Sequence, residues 1–228
     1  MRGRIEAACL RSGRAAGDVT LLAASKYTDA AGMVYLAAAG QRTFGENRVQ
    51  DAAGKLAQLP HQLRKAIRVH MIGHLQGNKA QAAAATFDLV ESLDSLRLAA
   101  ALGVAAEARG QRLPVLVQVN VAADPAKAGF GVDDLARAGP ELLAIDALEV
   151  QGLMTIGRAG EDRDAARNTF RALRELRDRL LGVWPDAALR HLSMGMSGDF
   201  EVAIEEGATI VRVGTALFSE PHQPHAAG

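Results

Sequence analysis

The residue types that could do chemistry together are one lysine, one arginine and two glycine-bearing segments. Lys26 ends the apolar run Val19-Thr20-Leu21-Leu22-Ala23-Ala24-Ser25. A lysine at the end of a buried strand sits where desolvation lowers its pKa, and a neutral amine can attack an aldehyde to form an imine. The ordinary alternative is a lysine that snorkels to solvent at a strand end. Arg212 stands between Val211 and Val213, so it points to the opposite side of its strand or toward an open end. A buried arginine needs an acceptor. That acceptor is either an internal carboxylate (Glu205, Glu206 or Asp199) or a ligand ring nitrogen. Met194-Gly195-Met196-Ser197-Gly198 and Gly214-Thr215 suit an anion, because glycines let backbone N–H groups come close and Ser197 adds a hydroxyl. Tight turns are the other reason for glycines in such loops.

Other groups carry weaker signals. His74 suits acid/base work, but a lone loop histidine is more often a surface or capping group. His61, His191, His222 and His225 have no metal spacing, and His70 and His74 straddle a strand end. Zinc is rejected on that pattern. No Ser-His-Asp arrangement and no Gly-x-Gly-x-x-Gly fingerprint is present. The basic run Arg163 to Arg179 also carries acids and reads as a solvated helix face.

The elements that must position these residues alternate between short apolar strands and amphipathic helices. The expected strands are 19–25, 42–46, 68–72, 87–92, 115–121, 148–154, 189–193 and 209–213. The expected helices are 29–39, 49–59, 78–85, 95–109, 132–144, 162–181 and 198–206. Asp133 and Asp134 favour a helix start, and Gly207 favours a stop. Phe170, Leu173, Leu176 and Leu180 form one stripe of the longest helix. Near-continuous apolar strands joined by helices imply a parallel sheet covered by helices. Eight units in 228 residues predict one α/β domain over 1–228, a (β/α)8 TIM barrel. An open doubly wound sheet is the runner-up. In a barrel the C-terminal strand ends form the site. Here Lys26, Glu46-Asn47, Gly73 to Lys79, Glu91-Ser92, Asn120, Met154-Thr155, Ser193 to Asp199, Arg212 and Gly214-Thr215 all fall there.

Bulk composition narrows the classes. Hydrophobic residues make up 49% of the chain and charged residues 23%, enough for a large core with an ordinary surface. The 26 basic and 26 acidic side chains cancel, so no overall field gathers nucleic acid or anionic membrane. Aromatic residues at 4% also disfavour base stacking. The one cysteine, Cys9, cannot form an internal disulfide. No apolar run approaches a membrane span and no signal-peptide core is present. A cytoplasmic protein is expected.

Set in order, the motifs are similar to those of the pyridoxal phosphate homeostasis protein family, whose barrel is like the N-terminal domain of alanine racemase. The matching segments are Leu21 to Lys26, Phe44-Gly45-Glu46-Asn47 and His70 to Lys79. They continue with Gln118-Val119-Asn120, Gly152 to Ile156, Leu192 to Ser197 and Val211-Arg212-Val213-Gly214. The resemblance implies a fold type III pyridoxal 5′-phosphate site. Lys26 would carry the Schiff base and Arg212 would face the pyridine nitrogen. Ser197, Gly214 and Thr215 would bind the phosphate, with main-chain help around Met196. Asn47 would line the ring pocket and Met154 would approach the cofactor. Lys127 matches a family lysine near the mouth that would assist uptake or transfer. The chain departs from the family at Asp29, where proline is common, and at Arg48, where an aromatic residue is common. Its beginning is short for the family, so a trimmed first helix is expected.

An arginine at the pyridine nitrogen disfavours a pyridinium and weakens the electron sink. Racemases tolerate this but need a second base, which alanine racemase takes from a further domain; only Ser219 to Gly228 follow the eighth strand. The reading is therefore a monomeric, non-enzymatic binder that buffers pyridoxal phosphate and delivers it to apo-enzymes. A weak amino-acid racemase and a cofactor-free Schiff-base aldolase are the alternatives.

Overall fold

A computed structural model describes residues 1–157, 162–185 and 187–218, apart from the side chains of Thr215 and Phe218. His222 and His225 lie outside these residues. Eight parallel strands form a closed barrel in sequence order. The strands are β1 (Thr20–Ala24), β2 (Thr43–Glu46), β3 (Arg68–Met71), β4 (Leu89–Leu93), β5 (Leu113–Gln118), β6 (Leu148–Met154), β7 (His191–Ser193) and β8 (Ile210–Val213). The helices are α1 (Arg2–Arg11), α2 (Ala30–Ala38), α3 (Val49–Leu56), α4 (His61–Ala66), α5 (Ala80–Thr86), α6 (Leu96–Arg109), α7 (Val132–Leu143), α8 (Arg163–Leu181), α9 (Phe200–Glu205) and α10 (Thr215–Phe218). The expected TIM barrel is the fold observed. Closure pairs β1 with β8, with Leu22 opposite Arg212 and Ala23 opposite Val213.

The boundaries differ from expectation where turn geometry takes over. The first strand stops at Ala24, and Ser25–Tyr27 is a 3-10 turn. The helix expected over 49–59 ends at Leu56, and a second short helix, α4, follows Pro60. Proline at a helix entrance sacrifices no intrahelical bond. At the chain start, α1 is a ten-residue helix with Ile5, Ala8 and Cys9 buried.

Two apolar layers hold the barrel. The outer layer packs helices on strands; in α8 the buried stripe is Ala166, Phe170, Leu173, Leu176 and Leu180. The inner layer is small: Leu22, Leu89, Leu116, Met154 and Ile210 fill the barrel interior, with Ile72 against them. Because side chains alternate along a strand, Glu91 shares the inner face with Leu89 and Arg212 shares it with Ile210.

The charged face of α8 is not simply solvated, contrary to expectation. Arg167, Arg171 and Arg174 each lie 3.0 Å from the Glu206 carboxylate, and Arg167 and Arg11 hold Glu205 at 2.6 and 2.9 Å. Burial alone would raise the Glu206 pKa; hydrogen bonds from Arg171 and Arg167 overcome it and leave the pKa lowered. These contacts lock α8 and α1 onto the C-terminal end of α9.

Gly152 shows how tightly the wall is drawn at the β6–β7 pairing. A Cβ there would lie 2.0 Å from the His191 carbonyl oxygen and 2.8 Å from its nitrogen. The obstacle is backbone, so no rotamer change relieves it. Gly152→Ala is expected to destabilise the fold by about 3 kcal/mol, the upper range for overpacking a rigid site. Urea unfolding measures this, and an unchanged midpoint would show that the two strands can separate without cost.

Candidate functional site

The C-terminal mouth collects the residues expected there, through adjacent strands. Lys26 leaves β1, Asn47 leaves β2, Met196-Ser197-Gly198 leave β7 and Gly214 leaves β8, so the four segments occupy neighbouring positions around half the rim. A Cβ built on Gly214 would touch Ala24 Cβ at 3.5 Å, so the end of β8 leans on the end of β1 just before the lysine. Thr215 opens α10; its side chain lies outside the description.

Lys26 is exposed, which corrects the expectation of a desolvated amine. The physical reason is the 3-10 turn, which carries the side chain out of the wall to the rim. Its ammonium lies 4.7 Å from the centre of the neighbouring Tyr27 ring, within cation–π range. The turn itself is anchored. Buried Ser25 donates its hydroxyl to Glu46 Oε1 at 2.6 Å. Lys55 of α3 donates to that same oxygen at 2.9 Å and to the Ser25 carbonyl at 2.7 Å. The backbone on which Lys26 stands is thus fixed by these bonds.

Arg212 lies in the barrel interior, only 6% exposed. The sequence offers it Glu205, Glu206 or Asp199 as an internal partner, or else a ligand ring nitrogen. The first two are held by α1 and α8 instead. The contacts observed are with Ser193 Oγ, which accepts from Nη1 at 2.6 Å, and the Thr155 carbonyl, which accepts from Nη2 at 2.8 Å. Glu91 supplies the counter-charge, with its Oε2 4.0 Å from Nη1, while Asp199 adds a weaker field. Burial pulls the Arg212 pKa below its usual value, and these two carboxylates act against that pull.

Glu91 is fully buried and belongs to a longer chain of polar groups. Ser193 Oγ donates to its Oε2 at 2.5 Å, and His70 Nδ1 lies 2.7 Å from its Oε1. Burial alone would raise the Glu91 pKa; His70, Arg212 and Ser193 together leave it lowered. The carboxylate is therefore ionised and can only accept, which assigns the Nδ1 proton to His70 and the hydroxyl proton of Ser193 to the Glu91 bond. Ser92, next in sequence, turns to the helix side and has no hydrogen-bond partner for its buried hydroxyl among the described residues.

The loop after β7 is built for a close approach of backbone. Gly195 is buried with φ +89, and a Cβ there would lie 2.5 Å from Ala203 Cβ. Asp199 N and Phe200 N both donate to the Met196 carbonyl, and Met196 N donates to Asp199 Oδ1 at 2.6 Å. That last bond engages the Met196 N–H. The N–H groups of Ser197 and Gly198 have no protein acceptor among the described residues. Met154 is fully buried in the inner apolar cluster and forms the floor of the mouth. Asn47 is half-buried, with its backbone against Gly73, where a Cβ would lie 2.4 Å from the Asn47 oxygen.

The remaining rim residues have local explanations. Asp29 caps α2, its Oδ1 accepting from Gly32 N at 2.9 Å. Arg48 is exposed at the start of α3. Lys127 reaches from the β5–α7 loop to the Ile156 carbonyl at 3.0 Å. His74 is exposed and pairs with Asp94 at 3.1 Å, as a surface group does. Sequence reasoning missed Lys55 and His70 as parts of the arrangement. The isolated charge of Glu91 within an apolar strand was the one available signal for the second.

Comparison with known proteins shows the family and the fold. The family profile described as alanine racemase, N-terminal domain, matches residues 7–221. A pyridoxal phosphate homeostasis protein of Aquifex aeolicus is 41% identical over 217 residues, covering 95% of this chain and 93% of the relative. One from Escherichia coli is 35% identical, covering 96% and 92%. PipY of Synechococcus elongatus, whose structure was determined with PLP bound, superposes with a TM-score of 0.83 at 38% identity, covering 96% of this chain and 99% of that one. Alanine racemase of Clostridium difficile shares the fold, with a TM-score of 0.72 at 13% identity over 97% of this chain and 59% of its own. By sequence along nearly its whole length, and by its closed eight-stranded barrel, the chain belongs to the pyridoxal phosphate homeostasis protein family.

Proposed function

We propose that this protein holds pyridoxal 5′-phosphate at the C-terminal mouth of its barrel and releases or passes it to apo-enzymes. The observation that carries the reading is Arg212. A permanently charged guanidinium is placed inside the barrel with two of its five N–H donors committed to Ser193 and Thr155. The others remain for an acceptor above it, and a pyridine nitrogen fits that demand.

The rest of the mouth fits the same molecule. Ser197 and Gly198 present backbone N–H groups, Ser197 adds a hydroxyl, and Gly214 opens space beside them, which suits a phosphate. Thr215 extends that segment. Asn47 sits at the ring edge, Met154 supplies an apolar floor, and Met196 shields the loop side. Lys26 anchors the cofactor through a Schiff base from the adjoining rim. Bound there, pyridoxal phosphate supplies an aldehyde for imine formation and an electron-accepting ring.

This chain's residues favour holding over turnover. Arg212 donates to the ring nitrogen and so leaves it unprotonated, which keeps the ring a poor electron sink. Relatives that match over more than nine-tenths of their length carry the name of homeostasis proteins. Lys127, at the mouth, is placed to meet an incoming or departing phosphate. No helix among the described residues is long and apolar enough to cross a membrane.

The direct test is an absorbance spectrum of protein mixed with pyridoxal phosphate, before and after borohydride. A visible band that borohydride abolishes is expected; a protein that gains no band sinks the reading. Peptide mapping of the reduced adduct should find it on Lys26, and Lys26→Ala should lose it. Label on another lysine in the wild-type protein contradicts the assignment.

Ser197→Ala should weaken binding of the cofactor by about 1–3 kcal/mol, the range for one charge-assisted hydrogen bond. Equilibrium titration of the visible band measures it. Unchanged affinity would remove Ser197 from the phosphate site. α-Hydrogen exchange of L- and D-amino acids above the free-cofactor rate would establish a racemase instead of a carrier.

A further inference from the structure

The polar chain below the mouth extends well past the groups that would touch a cofactor. It runs from Arg212 on β8 to Ser193 on β7, then to Glu91 on β4 and His70 on β3. It crosses the barrel interior and ends where His70 lines a cavity of about 380 Å3 at the N-terminal mouth, with Thr20, Thr43, Arg68, Asp88 and His191. Resting on the cofactor reading above, we propose that Glu91 is a positioning residue for Arg212. Through the Ser193 hydroxyl it fixes the guanidinium toward the ring nitrogen, and through His70 it ties that guanidinium to the opposite mouth.

The argument is one of donors and acceptors. Ser193 has a single hydroxyl proton, and it faces Glu91. The ionised carboxylate accepts it, so Ser193 turns a lone pair to Arg212 and accepts from Nη1. The orientation of the arginine therefore depends on the charge of a residue that touches no ligand. Thr155 holds the other terminal nitrogen from β6, so the fork is clamped from two sides. A clamp on both terminal nitrogens fixes the guanidinium plane, which an isolated salt bridge does not.

The charge of Glu91 also sets the field at the mouth. Arg212 is compensated by Glu91 and, more weakly, by Asp199. Removing the Glu91 charge leaves a nearly uncompensated cation beneath the ring. Such a cation disfavours the protonated imine above it.

The groups facing His70 are Glu91 from β4 and His191 from β7. The Arg68–Asp88 pair, at 3.4 Å, stands at the rim of the same cavity. Burial foremost, then Arg190 and His70, lower the pKa of His191, while Glu91 opposes them. Glu91 is thus the one carboxylate that His70, His191 and Arg212 share. Glu91 is the hydrogen-bonded route from His70 at the far mouth to the arginine.

Two substitutions separate charge from geometry. In Glu91→Gln the amide oxygen can still accept from Ser193, and the amide N–H can donate to His70 once that ring shifts its proton to the other nitrogen. Shape is kept and charge is lost. The pH at which the visible band of the loaded protein fades should fall by about one pH unit, the effect of deleting one nearby buried charge. Ser193→Ala keeps the charge and releases the arginine. Its affinity for pyridoxal phosphate should fall about tenfold, the worth of one good hydrogen bond. Ser193→Thr should restore it.

Band titration and affinity are read on variants with wild-type circular dichroism. A folded Glu91→Gln protein with wild-type midpoint and affinity overturns the proposal. Should that variant not fold, the Ser193 pair decides: Ser193→Ala at wild-type affinity overturns it, and loss with rescue by threonine supports it. A wild-type protein with no band fails the cofactor reading itself, an outcome distinct from a band that ignores Glu91.

Discussion

Burying one guanidinium in the middle of a barrel is the constraint around which the interior is arranged. A lone buried cation would cost several kcal/mol. The barrel meets this with a counter-charge on the far wall, a hydroxyl between the two charges, and a strand-end carbonyl from a third direction. Those partners come from β4, β7 and the end of β6, so the arrangement exists only once the sheet has closed. The apolar inner cluster is correspondingly small, since much of the interior is given to this network. Such a network stabilises little against well-packed apolar residues, but losing one partner leaves the other charge stranded. That asymmetry makes the network a source of rigidity in one place, directly beneath the mouth.

The same logic appears on a smaller scale at Lys26. Glu46 is buried on the helix side of β2, and its charge is met by Lys55 of α3, with Ser25 donating alongside. This second network holds the backbone of the turn on which Lys26 stands. Two charged networks, on opposite sides of the barrel wall, therefore place the two groups that matter most. Arg212 is fixed directly, as a side chain. Lys26 is held through the backbone of its turn, with its amine beside Tyr27. The glycines finish the mouth: Gly195 needs its positive φ and its missing Cβ to fold the loop onto α9.

Much of this was legible in the sequence, and the parts that were not share a physical cause. The eight strands could be found because each is a short apolar run between amphipathic segments. The position of Arg212 between valines correctly indicated a buried arginine. Of the internal carboxylates the sequence offers it, only Asp199 acts on it; its main counter-charge, Glu91, lies far away in the chain, joined through a Ser193–Glu91 bond that spans 102 residues. Glu205 and Glu206 had other arginines to meet, on a helix whose charged face looked merely solvated. The burial of Lys26 was overestimated because a run of apolar letters does not reveal that its last residue begins a 3-10 turn. Lys55 gave no signal at all, since a lysine on a surface helix has the same appearance whether or not it reaches inward. Local pattern fixes which face a residue takes; long-range pairing decides what it meets there.

The exposure of Lys26 bears on the choice between carrier and catalyst. A catalyst gains from a buried, desolvated amine whose pKa is brought toward neutrality, because turnover then runs through that group repeatedly. A carrier has the opposite need. Its bond to the cargo must form and break by exchange with another amine or with water, and a partner must be able to reach it. An amine at the rim, beside Tyr27 and on an anchored turn, satisfies that need, while the buried arginine and the loop after β7 supply affinity from beneath and beside. On the carrier reading proposed above, the interior would set how tightly the cargo is held, and the rim how it is handed over. Lys26 on its anchored turn and Arg212 on its polar network are thus positioned by separate means, one at the rim and one in the interior.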